Sequence, residues 1–117
     1  MNTYDIELGQ GDGDLVGVVL KENGIGADLT GATVKFSMKS DSGTSYDIEC
    51  REGATIKSTP TDIEVLVSEG GITIPFTSAH TTVPGIYYGK FVVDLVTLKV
   101  TFPSGRDYVS VRVWEAV

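Results

Sequence analysis

Histidine and cysteine each occur once in the 117-residue chain, as His80 and Cys50. A lone cysteine excludes an intrachain disulfide. One histidine and one distant cysteine also fall short of the three or four clustered ligands that zinc requires. The same scarcity leaves any Ser-His-Asp or Cys-His arrangement only His80 to use, and no nucleophile motif surrounds Cys50 or any serine. His80 stands in Ser78-Ala-His-Thr-Thr82, ahead of Pro84, a turn-rich setting in which an exposed loop histidine is expected. Basic residues are few as well, nine against sixteen acidic ones, and the resulting net charge of −7 repels phosphate backbones and anionic membranes. Long apolar runs are missing: the longest uncharged apolar stretch, Leu15 to Leu20, is too short to cross a bilayer, and the start has no basic region leading into an apolar one. The chain is therefore expected to fold in a reducing cytoplasm, without a nucleic-acid or membrane partner.

What the chain does have is period-two alternation, the pattern of strands with one face on a core and one in solvent. Ala32, Val34, Phe36 and Met38 alternate with Thr33, Lys35, Ser37 and Lys39. Further inward sets are Tyr4, Ile6 and Leu8; Tyr46, Ile48 and Cys50; Ala54 and Ile56; Ile63, Val65 and Val67; and Ile72, Ile74 and Phe76. Near the end come Leu98, Val100 and Phe102, then Val109, Val111 and Val113. Turn signals separate them, among them Gly9 to Asp14, Asn23-Gly24, Ser42-Gly43, Gly70-Gly71 and Pro84-Gly85. No stretch has a helical apolar period, although Thr77 to Thr82 suits a single helical turn. Eight to ten short strands in one domain spanning residues 1–117 predict an antiparallel sandwich or barrel.

One segment narrows the type. Pro84-Gly85-Ile86-Tyr87-Tyr88-Gly89-Lys90-Phe91 puts Tyr87 two residues after a turn glycine, where the tyrosine corner of an immunoglobulin-like strand F lies, and two before the position often held by cysteine. That position is Gly89. The fold class predicted is all-β, an immunoglobulin-like antiparallel β-sandwich without its disulfide. Tyr87, Phe91 and Val93 are expected to point inward, and Tyr88, Lys90, Val92 and Asp94 outward.

Candidate chemistry is sparse. Gly11-Asp12-Gly13-Asp14 brings two carboxylates together in a flexible loop, but the remaining ligands of a calcium loop are absent, so a plain acidic turn is expected. No P-loop lysine follows those glycines. Cys50, aligned with Tyr46 and Ile48, reads as a buried, inert thiol. No catalytic, cofactor or metal residues are assigned. Tyr88, and Trp114 on the face opposite Val109, Val111 and Val113, are the candidate protein-interface residues, because outward aromatics on polar strands serve interfaces and also stack on sugar rings.

Three segments in order, Ala27-Asp-Leu-Thr-Gly-Ala-Thr-Val-Lys-Phe36, Thr82-Val-Pro-Gly-Ile-Tyr-Tyr-Gly-Lys-Phe91, and Val100-Thr-Phe-Pro103 with Tyr108-Val-Ser-Val-Arg-Val113, make the chain resemble a known family. It is similar, over residues 27 to 113, to the amino-terminal immunoglobulin-like domain of baseplate upper proteins from tailed bacteriophages of Gram-positive hosts. In that family the first segment leads into strand B, the second into strand F and the third into the last strand. The resemblance implies a non-enzymatic structural protein of the virion, made in the bacterial cytoplasm. It would dock host-adhesion components of the tail baseplate by contacts with other tail proteins or with its own copies. A carbohydrate- or cell-surface-binding module is the competing reading, and coplanar exposed aromatics in a groove would favour it.

No metal or cofactor is expected to be needed for folding, so chelator treatment should leave the melting temperature unchanged. A rise of several degrees on adding calcium, abolished by Asp12→Asn and Asp14→Asn, would contradict this.

Overall fold

In a computed structural model, residues 4–95, 99–103 and 107–116 are described. The strands are β1 (Ile6–Gly9), β2 (Asp14–Val19), β3 (Lys21–Glu22), β4 (Ile25–Gly26), β5 (Thr33–Ser40), β6 (Ser45–Glu49) and β7 (Arg51–Glu52). They continue with β8 (Ala54–Ile56), β9 (Ile63–Val65), β10 (Gly71–Phe76), β11 (Gly85–Asp94), β12 (Lys99–Phe102) and β13 (Val109–Trp114). Short 3₁₀ turns cover Val67–Glu69 and Ser78–Thr81, the second within the predicted helical turn. The larger sheet runs β1-β13-β11-β5-β6, with β12 also on β11, and the facing sheet runs β2-β10-β7. The chain is a β-sandwich.

The core forms between the sheets from the residues that alternation marked. Phe36, Met38, Ile72, Ile74, Phe76, Tyr87, Phe91, Val93, Val111 and Val113 are all buried. Phe36 on β5 lies directly opposite Phe91 on β11, with ring centroids 4.8 Å apart, and meets Phe76 of the other sheet edge-on at 6.2 Å. The Phe36 ring also lies over Gly89, where any Cβ would fall inside it. Tyr87 forms the expected corner: its fully buried side chain donates from the hydroxyl to the Val83 carbonyl at 2.6 Å. Burial, and secondarily neighbouring Tyr46, hold the Tyr87 phenol above its ordinary pKa.

Four features depart from expectation. The first is strand lettering: the order β13-β11-β5-β6 makes β5 strand C beside strand F, while β2 and β10, paired in the opposite sheet, take the places of B and E. The segment ending at Phe36 therefore leads into strand C and not strand B. The second is that β1 pairs with β13 in parallel, Ile6 opposite Val111, whereas the other strand pairs are antiparallel.

The third concerns β2, which alternation did not mark. Its sequence, Asp-Leu-Val-Gly-Val-Val, is nearly continuous in apolar residues, because a ribbon of β8 and β9 lies against the side of β2 and β10 that faces away from the core. A Cβ at Gly17 would meet the Thr55 backbone and one at Gly71 the Val65 carbonyl, and Thr73 donates from Oγ1 to the Gly53 carbonyl at 2.7 Å. A strand covered on both sides loses the alternating signature, and this applies around Gly17, while Leu15 on the same side stays 62% exposed. The fourth is that Ile63, Val65 and Val67 are not an inward strand face: Ile63 is 54% exposed, and Val67 belongs to a 3₁₀ turn. Leu98, expected inward with Val100 and Phe102, lies outside the described residues.

Phe36→Ala should destabilise the fold by about 3–5 kcal/mol, because it opens a cavity at the contact of both sheets. An unchanged chemical-denaturation midpoint would refute the placement of β5.

Candidate interaction surface

The acidic turn is tied into the fold by its backbone. Thr81, a fully buried polar side chain, donates from Oγ1 to the Asp12 carbonyl at 2.8 Å, and the Gly11 N–H donates to the Thr81 carbonyl at 3.1 Å. Gln10 joins the same turn to β13 through the Trp114 carbonyl, which accepts its N–H at 2.8 Å. Among the described residues no three His, Cys, Asp or Glu side chains gather at metal-binding spacing. Cys50 is half-buried, not buried, and burial pushes its thiol up to about 12, so it stays protonated.

His80 is not an exposed loop residue. It is half-buried, with its ring 5.6 Å from that of Tyr46 and 6.4 Å from that of Phe76. Its Nδ1 accepts the Thr77 N–H at 3.0 Å, the reciprocal half of a capping box in which histidine stands where glutamate or glutamine is usual.

An apolar cleft of about 440 Å³ opens between β2 and the strands β12 and β13, with Val18, Leu20, Phe91, Phe102 and Val109 among its walls. Asp5 at its rim is already engaged, accepting from the Ser110 N–H at 2.8 Å and the Ser110 hydroxyl at 3.2 Å.

The aromatic candidates lie on the outer face of the larger sheet. Strand parity fixes this: Val109, Val111 and Val113 turn inward, so Tyr108, Ser110, Arg112 and Trp114 turn outward, and Tyr88 on β11 pairs with Ser110. Both candidates are partly exposed, Tyr88 at 36% and Trp114 at 46%. Each has a neighbour that the sequence reading did not assign. Tyr88 packs edge-on against Tyr108, with centroids 4.7 Å apart and planes at 84°. Trp114 packs edge-on against Tyr4 at 82°, carries the Arg112 guanidinium 4.5 Å above its ring, and donates from Nε1 to Glu7 at 3.1 Å. The parity that marked Trp114 marks Tyr108 and Arg112 equally. The two aromatic pairs stand apart, since the four steps from Ser110 to Trp114 span about 14 Å. Neither pair offers the coplanar faces that stacking on successive sugar rings needs.

No protein-family model matches the sequence, and the search of curated proteins found no match either. Among solved structures the chain is similar in fold to the N-terminal domain of ORF48 of phage TP901-1, at 10% sequence identity and a TM-score of 0.58. That alignment covers 92% of this chain and 82% of the other.

Folding favours the neutral form of His80, because burial lowers its pKa below the ordinary 6.5 and its acceptor role needs a deprotonated Nδ1. A depressed folded-state value makes this contribution complete above the unfolded pKa and lost as pH falls through the folded one. Melting temperature should therefore decline on acidification from about pH 7.5 to about pH 5. The decline should be shallower for His80→Gln, which keeps the capping acceptor. Superimposable pH profiles for the two proteins would rule this out.

Proposed function

We propose that the chain is a structural protein of a phage or prophage virion, a tail-baseplate domain that docks host-adhesion components by protein–protein contact and turns over no substrate. The observation that carries this reading is the fold shared along 92% of the chain with the N-terminal domain of a phage protein. The three sequence segments that resemble baseplate upper proteins lend support, because they fall on β5, β11 and β12 with β13, neighbours in one sheet. The partly exposed Tyr88 and Trp114 on that sheet suit protein contact, since aromatic anchors of this kind dominate interface energies. Weak single contacts are sufficient in such a role, because a symmetric array of copies multiplies them.

The test is to mix the purified chain with tail proteins encoded by its genomic neighbours and follow complex formation by light scattering. A complex is expected, weakened by Tyr88→Ala or Trp114→Ala by about 2 kcal/mol where the residue is a central anchor. Indifference to every tail protein, combined with micromolar binding of cell-wall glycans, would replace this function with that of a glycan-recognition module.

A further inference from the structure

The chain is acidic, with a net charge of −7, but its outward charges on the larger sheet are sorted by strand. On the three central strands stand Lys35 and Lys39 of β5, Lys90 of β11 and Arg112 of β13. Tyr88 lies among them: Lys39 is its cross-strand partner, Lys90 follows two residues along the same face, and Arg112 is diagonal to it through Ser110. The only acid on these strands is Asp94, at the end of β11, where it pairs with Lys99 of β12. Both flanks are acidic. Asp47 and Glu49 stand on β6, and Asp5 and Glu7 on and beside β1.

Three of the four flanking acids are held by neutral donors, and the fourth, Glu49, is the cross-strand partner of Lys35. Asp47 accepts from Ser37 at 2.6 Å, Asp5 from Ser110, and Glu7 from Trp114. The one ion pair found among the described residues, Lys57 with Asp62, is elsewhere. Lys39, opposite Ser45, keeps its charge available at the surface, and Lys35, opposite Glu49, is exposed without a close ion pair among the described residues.

This sorting opposes pairing with a second copy. A two-fold axis along β11 would lay β6 on the partner's β1, acid on acid, and β5 on β13, lysine on arginine. An axis across the strands would lay β5 on β5. Like charges brought together in this way suppress an isologous contact.

We infer that the outer face of β5, β11 and β13 docks an acidic ridge of a different protein, with Tyr88 at its centre, a surface that rests on the docking role proposed above and gives its partner a chemistry. The three strands span about 10 Å, the width of one helix, so a single acidic helix or extended segment fits between the two acidic flanks. The aromatic centre favours a protein, which brings apolar side chains between its acids, over a phosphate polymer.

The probe is polyglutamate, titrated at low ionic strength into the isotopically labelled chain while backbone resonances are followed. A net-negative protein binds a polyanion only where its charge is locally reversed, so shifts should be confined to residues around Lys35, Lys39, Tyr88 and Arg112. The double substitution Lys35→Glu, Lys39→Glu, at two exposed positions, should weaken binding by on the order of tenfold or more. Shifts centred on Lys21 or Lys57, or a stronger response of this face to polyphosphate of equal charge, would overturn the assignment. So would a dimer in sedimentation that the double substitution abolishes. If polyglutamate maps to this face while the chain ignores every tail protein, the phage role fails and the surface stands. If tail proteins co-assemble equally well with the doubly substituted chain, the surface fails and the phage role stands.

Discussion

The contact between the Phe36 ring and Gly89 is the constraint from which the rest of the sandwich follows. Immunoglobulin-like domains commonly lock their two sheets with a disulfide whose second cysteine follows the corner tyrosine by two residues. Here that position is glycine, and the space above it is taken by an aromatic ring from β5 that also packs on Phe91 beside it and Phe76 opposite. Glycine is required there because any larger residue would displace the ring. The chain thus joins its sheets by packing of aromatic and aliphatic side chains with no disulfide, consistent with a single cysteine that burial keeps protonated.

That contact sets the register of β5 against β11, and with it everything displayed outside. Side chains alternate with period two, so a slip of one residue would exchange the faces of a strand. Phe36 opposite Phe91 puts Lys39 opposite Tyr88, and Tyr87 opposite Val111 puts Tyr88 opposite Ser110. The aromatic and cationic stripe is the reverse side of the core pairing. A residue that secures the inside also decides which charges stand together outside.

Where one face of a strand is buried and the other wet, the sequence was legible. The residues of β5, β10, β11 and β13 lie as alternation predicts, and the tyrosine corner was visible from Gly85 and Tyr87 alone. Legibility failed for physical reasons elsewhere. The ribbon of β8 and β9 covers the second side of β2 around Gly17, where alternation is lost. The family resemblance led to β5 being placed as strand B, and only the pairing of β5 with β11 identifies it as strand C. The parallel pairing of β1 with β13 joins opposite ends of the chain, and no local pattern records it. His80 looked like a loop residue because a histidine at the third position of a capping box has no distinct signature, unlike the usual glutamate. For the surface, parity was sufficient to find Tyr88 and Trp114. The sorting of charge across strands required knowing that β13, β11 and β5 are neighbours.

The most direct test is a double-mutant cycle between Phe36→Leu and Gly89→Ala, with each variant's stability measured by chemical denaturation. If the ring requires the glycine, Gly89→Ala should be strongly destabilising in the parent chain and much less so once the ring is gone. The coupling should then be on the order of 1–3 kcal/mol. Additive effects, agreeing within about 0.5 kcal/mol, would contradict the claim that this contact sets the register of β5 against β11.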